Sequence, residues 1–141
     1  MELFNVNRRY PAVTLGLLLY IISCAAQADV ISSDVTISST DLTLISSVRV
    51  ARTVQQYTIS ATARNSSSKQ YRNVVAQLSS VPTGISIIDG SLNFGDIAAG
   101  SAADSTDVFV IQLNLRTSPT PQLSDMQWQV LGDEVVPPPA V

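Results

Sequence analysis

Histidine is absent from this chain, and cysteine occurs once, as Cys24. The first absence removes the commonest general base near neutral pH and the commonest metal ligand together. The second matters because Cys24 lies inside a segment that reads as an export signal. Cleavage behind it leaves neither a disulfide nor a thiol nucleophile, so stability must come from packing. Positive charge is also scarce, with 8 lysines and arginines against 11 acidic residues. Helical periodicity is missing too: beyond Asp29 no window offers apolar residues at i, i+3, i+4 and i+7 over a helix's length.

What is present begins with residues 1–28. Arg8 and Arg9 form a positive region, Pro11 to Ile22 an apolar run too short to span a bilayer, and Ala26-Gln27-Ala28 an A-x-A cleavage site. General secretion to the periplasm or the medium is the expectation. Ile21-Ile22-Ser23-Cys24 also resembles a lipobox, which would lipidate Cys24 and tether the protein to a membrane. Asn7-Arg8-Arg9-Tyr10 touches the twin-arginine pattern, but its flanking residues do not fit. Taking 28 residues from 141 leaves 113, with 6 basic and 10 acidic side chains and a net charge of −4. That is one small domain, and its scattered Arg49, Arg52, Arg64, Lys69, Arg72 and Arg116 offer no cationic stripe for nucleic acid.

The periodicity from Asp29 onward is two. Leu42, Leu44, Val48 and Val50 share one parity, and Tyr57, Ile59, Ala61 and Ala63 alternate with Thr58, Ser60, Thr62 and Arg64. Further runs follow at Val74–Leu78, Ile85–Ile87, Leu92–Phe94, Phe109–Leu115 and Met126–Val130, with Val35 and Ile37 ahead of them all. Asn65-Ser66-Ser67-Ser68 reads as a polar turn, Pro82-Thr83-Gly84 as a strand break and Asp89-Gly90 as a hairpin turn. Seven to eight short strands in this length predict an all-β, two-sheet antiparallel sandwich over 29–134, with immunoglobulin-like topology. A jelly roll is the alternative, although it usually takes longer strands and connections. Residues 135–141, Val-Val-Pro-Pro-Pro-Ala-Val, cannot extend a sheet and predict a polyproline-like arm. The mature part carries 18 serines and 10 threonines, mostly at outward parity, as suits a solvated sheet face.

Several stretches carry a resemblance: Tyr57-x-Ile59-x-Ala61-x-Ala63-Arg64-Asn65, Tyr71-Arg72-Asn73-Val74, Asp89 through Gly100, and Ser105-Thr106-Asp107-x-Phe109-x-Ile111. Over about residues 42–131 the chain resembles the immunoglobulin-like modules of bacterial secreted and cell-surface proteins, broadly of the CARDB and fibronectin-like kind. The resemblance implies a fold and carries no catalytic motif. Modules of this kind serve as spacers, adhesion domains and accessory domains, so role has to be argued from sites.

Candidate sites are few. Tyr57, Tyr71 and Trp128 are the rings that could stack on a sugar, although Trp128 shares its parity with Met126 and Val130 and so also fits a core position. Asp89, Asp96, Asp104 and Asp107 supply the hard oxygen ligands that calcium takes, at a spacing that matches no calcium loop; solvated turn and capping aspartates explain them better, and no cofactor is expected beyond a weak calcium site. A hydrolase using two of them would need a buried setting to raise one pKa, which no feature of the sequence supplies. Asn65-Ser66-Ser67 matches a glycosylation sequon and also reads as a turn. Ile45, Val75, Val108 and Val110 fall at outward parity, the pattern of an exposed apolar patch or an edge open to a partner strand. The expectation is a non-enzymatic exported module binding an envelope or extracellular protein, with polysaccharide binding through the aromatics as the alternative. Membrane attachment is expected only if Cys24 is lipidated. Intact mass of the protein from the soluble fraction of its host is expected to match a chain starting at Asp29; an acylated chain starting at Cys24 in the membrane fraction would replace that reading.

Overall fold

The computed structural model describes residues 28–117 and 122–141. Most of the export signal, including Cys24, lies outside the described residues. Ten strands run in order: β1 (Asp29–Val30), β2 (Val35–Thr36), β3 (Leu42–Ala51), β4 (Val54–Asn65), β5 (Tyr71–Ser80), β6 (Ile85–Asp89), β7 (Ser91–Ile97), β8 (Ala102–Asp104), β9 (Phe109–Asn114) and β10 (Gln127–Glu134). Single 3-10 turns at Ser39–Asp41 and Leu123–Asp125 interrupt them. All pairings are antiparallel. One sheet has the order β1-β10-β5-β7. The other is built on β4, which pairs with β3 and β2 in turn and with β9 and β8; β6 lies outside β9.

The two sheets pack face to face, and period-two alternation decides what lies between them. Ile59, Ala61 and Ala63 of β4 and Phe109, Ile111 and Leu113 of β9 meet Val74, Ala76 and Leu78 of β5, Leu92 and Phe94 of β7 and Val130 of β10 in one core. The small Ala61 and Ala63 opposite larger side chains let the layers approach, as close packing requires. Each fully buried aliphatic or aromatic side chain contributes about 1.5–3 kcal/mol relative to exposure. Each of the eight apolar runs in the sequence coincides with a strand; the two-residue β1 and three-residue β8 are additions without a pattern long enough to detect.

Two local expectations fail, for identifiable reasons. Asp89-Gly90 is not a hairpin turn, because β6 pairs with β9 in one sheet while β7 pairs with β5 in the other. The step carries the chain across the sandwich, and the Gly90 carbonyl accepts from Leu78 N–H at 2.7 Å on the far side. The crossing is tight: a Cβ on Gly90 would lie 2.9 Å from Ile87 Cγ2 and 3.2 Å from Leu78 Cβ. The inward row Leu42, Leu44, Val48, Val50 also fails. The β3–β4 register slips between Leu44 and Ser46, so Leu44 lies opposite Ile59 on the inner face whereas Val48 lies opposite Gln56 on the outer one. The extra residue of this bulge, Ile45, shifts the side chains from Ser46 to Arg49 to the other face, until a second bulge between Arg49 and Ala51.

From β4 onward, successive strands through β7 alternate between sheets, as do β9 and β10. Among the described residues the one tight hairpin is β3–β4, closed by Arg52 and Thr53. Gly90→Ala is expected to lower unfolding stability by about 1–3 kcal/mol, because the facing side chains must move from packed positions; urea denaturation measures it.

Candidate functional site

The surface that departs most from a closed sandwich is β3. It pairs with β4 alone, and every residue from Thr43 to Ala51 is exposed. Leu44, Ile45 and Val48 each keep 57% of their surface in solvent and Val50 keeps 47%. The other edges are shorter or covered. β1 is two residues long and β6 five. The seven-residue β7 is covered by the loop before β9: Asp107 Oδ1 accepts from Asn93 N–H at 2.8 Å, and Thr106 N–H donates to the Asn93 carbonyl at 2.8 Å. An uncovered ten-residue strand with one charged residue, Arg49, and no proline or lysine lacks the charge and proline that commonly discourage pairing, although two bulges interrupt it.

Beneath its inner face lies an apolar crevice of about 230 Å³, lined by Leu42 and Leu44 of β3, Tyr57 and Ile59 of β4, Ile85 of β6 and Leu113 of β9, among others. It opens where the facing sheet does not reach over β3. On the outer face, Val48 and the half-buried Val110 occupy one sheet, with the bulged Ile45 exposed nearby, while Val75 belongs to β5 of the other and Val108 precedes β9. The outward-parity residues therefore divide, and the exposed row that forms joins Ile45 to Val48, which the uninterrupted alternation had placed inside.

The three aromatic candidates do not form one platform. Tyr57 is half-buried in the wall of the crevice. Tyr71 is only 2% exposed, and its hydroxyl donates to Asp34 Oδ2; burial first, then this hydrogen bond, raises its pKa above the ordinary 10.0. Trp128 packs against the core with its ring edge-on to Phe109, centroids 5.0 Å apart at 82°. Tyr71 and Trp128 also sit at opposite ends of their sheet, opposite Glu134 and Leu78 respectively. Seven residues of β5 separate those two positions, about 23 Å at 3.3 Å per residue.

The four aspartates are engaged separately. Asp89 accepts from the Ser91 N–H and hydroxyl, Asp96 from Asn73 N–H, Asp104 from the Thr62 hydroxyl at 2.6 Å, and Asp107 from Asn93 N–H. Asn73 has φ +51, a left-handed position where asparagine is tolerated. Among the described residues no group of three or more His, Cys, Asp or Glu side chains is placed to hold a metal ion. Asp104 and Asp107 thus serve the joint between β4, β7 and the loop that closes the β7 edge.

Two further polar residues hold the ends of the sandwich together. Asn65, 2% exposed, donates from Nδ2 to the Lys69 carbonyl at 2.7 Å and the Ala98 carbonyl at 3.1 Å, while its Oδ1 accepts from Ser67 N–H and hydroxyl. A sequon asparagine so enclosed acts as the turn's anchor. Asp41, 9% exposed, ends the first 3-10 turn and binds Arg64 of β4, whose Nε and Nη2 both lie 2.8 Å from Oδ1. The Arg64 guanidinium holds the Asp41 carboxyl below the ordinary 3.8, so the pair stabilises the fold above that pH and is lost as pH falls through the lower folded value. Asp41→Asn is expected to lower Tm at pH 7, with the deficit shrinking as pH falls below the ordinary carboxylate range; a deficit that does not change with acidification would show that ionisation of Asp41 is not what matters.

No family model, curated protein or solved structure matches the chain. Function is therefore argued from the geometry of this surface.

Proposed function

We propose that this chain is a non-enzymatic exported module that binds another protein of the envelope or extracellular space by accepting an extended segment along β3. The observation that carries the reading is the contrast among edges: β7 is capped by Thr106 and Asp107, whereas all of Thr43–Ala51 is exposed. Main-chain groups along a free edge supply affinity in this mode, and pockets for alternate side chains supply specificity. The crevice lined by Leu42 and Leu44 is such a pocket. Export is supported by the sequence of residues 1–28.

The immunoglobulin-like reading has support in neighbour relations. In the sevenfold constant-type sandwich the sheets run A-B-E-D and C-F-G. Here β3-β4-β9-β6 follows the first order, and β5-β10-β1 follows the second with β7 as an added edge. Two departures stand beside it. The place of the last strand is taken by the N-terminal β1, and the strand in the added-edge position follows β6 in the chain instead of preceding it. The carbohydrate alternative has less support, since Tyr71 is enclosed and Trp128 is turned toward Phe109.

Photo-cross-linking residues introduced at Ser46 and Ser47 of β3, in the native host, are expected to capture one reproducible protein that the same residue at Asn93 of β7 does not. Val48→Lys is expected to abolish that capture while leaving Tm nearly unchanged, because Val48 is exposed. Absence of capture from β3, or capture unaffected by Val48→Lys, would overturn the reading.

A further inference from the structure

Charge along the sandwich is sorted in a way that its scattered positions in the sequence conceal. Arg64 pairs with Asp41 and Lys69 with Glu134, each at 2.8 Å, and Arg72 lies opposite Asp133 in the β5–β10 register. Apart from Arg72, which faces Asp133 across the register without a salt bridge, the cations with no carboxylate within salt-bridge distance among the described residues are Arg49, Arg52 and Arg116, in a domain with 10 carboxylates. All three are exposed, and the strand pairings place them at the same end of the sheet. Arg49 ends the regular part of β3 and donates to the Arg52 carbonyl at 2.6 Å; Arg52 is in the β3–β4 turn; Arg116 follows Leu115, whose N–H donates to the Thr53 carbonyl at 2.8 Å. Two strand spacings, about 10 Å, thus separate the β3 and β9 members of the group.

The geometry points to a partner segment of defined chemistry: an extended strand that lies antiparallel to β3, with carboxylates at its N-terminal end and aliphatic residues after them. This inference rests on the β3 reading above and specifies what the edge selects. The carboxylates meet Arg49 and Arg52 at the hairpin end, with Arg116 adding positive charge three strand spacings, about 14 Å, from the added strand, and an aliphatic side chain enters the crevice lined by Leu42, Leu44, Tyr57 and Ile59. Antiparallel orientation follows the pairing of every strand in the protein and puts the segment's start beside the arginines. Charge complementarity then selects both the partner and its direction. Arg49 lies opposite Gln55 on the inner face, the same side of the sheet as Tyr57 and Leu44, so cation and crevice address one strand together.

The test uses the full chain and two acetylated, amidated heptapeptides. The first reads aspartate, aspartate, valine, leucine, valine, threonine, valine; the second has lysine in place of both aspartates. Amide NMR of the isotopically labelled protein is expected to show saturable shifts concentrated at Leu42–Ala51 with the acidic peptide, slowed hydrogen exchange along β3, and about tenfold weaker binding of the lysine peptide. Arg49→Gln with Arg116→Gln is expected to remove most of that difference without moving Tm. Equal binding of the two peptides, shifts centred on another surface, or no binding by the acidic peptide would overturn the inference, as would laurate filling the crevice while neither peptide moves β3 amides. Failure of the peptides alongside successful β3 cross-linking in the host would reject only this chemistry; loss of the cross-link would reject the β3 reading itself.

Discussion

The length of β4 is the constraint from which the rest of the architecture follows. Its twelve residues carry β3 and then β2 along one side, and β9 and then β8 along the other. Beyond Ile59 its inward side chains are buried against the facing sheet, as Ala61, Ala63 and Asn65 show. Before Ile59 the same strand is only half-covered, and the part of β3 that it holds there is exposed. A sheet longer than the layer packed on it must leave part of its inner surface to solvent. That surplus is the crevice between Leu44 and Tyr57 and the apolar row beside it. Closed core and open edge are therefore two ends of one strand's pairing.

Much of this was legible in the residues, because period-two alternation is a direct consequence of strand geometry. Phe109, Ile111 and Leu113, or Val74, Ala76 and Leu78, are buried as their spacing requires. What alternation cannot carry is an inserted residue. At Ile45 one extra position reverses the faces of β3, so Val48 reads as core and stands in solvent. Nor does local turn chemistry report which sheet the next strand will join: Asp89-Gly90 has hairpin residues, yet the flanking strands find partners in Phe109–Asn114 and Tyr71–Ser80, far off in sequence. The grouping of Arg49, Arg52 and Arg116 depends on the β3–β4 and β4–β9 pairings, so it too is invisible along the chain. Asp107 and Asn65 show the converse. Their types suggested a ligand and a glycan, and backbone groups, the Ala98 carbonyl and Asn93 N–H among them, occupy them instead.

An apolar edge left open is a hazard as well as an opportunity, since any extended chain can add to it. This fold has means to close edges, as the Asp107 and Thr106 contacts to Asn93 demonstrate. On β3 it applies a different device. Bulges between Leu44 and Ser46 and between Arg49 and Ala51 divide the ten residues into short regular stretches. A flat, uniform edge would accept a partner strand in many registers. A divided one accepts hydrogen bonds over only a few residues at a time, which weakens indiscriminate pairing and makes the side chains decide.

The side chains available for that decision differ in kind along the strand. Leu42 and Leu44 open on the crevice; Ile45 is exposed at the bulge and Val48 presents the outer face; Arg49 and Arg52 bring charge at the end. A one-residue slip of a bound segment would exchange its two faces, setting an acidic or polar side chain toward the crevice and an aliphatic one toward water. Both errors cost free energy, and the arginines add a directional penalty for a segment entering the wrong way round. Affinity from the backbone is nearly blind to sequence, whereas the crevice, the outer row and the cations are not. Bulges that shorten the regular edge thus trade strength for selectivity, which is the balance an interaction module needs when it must ignore most of the extended chains around it.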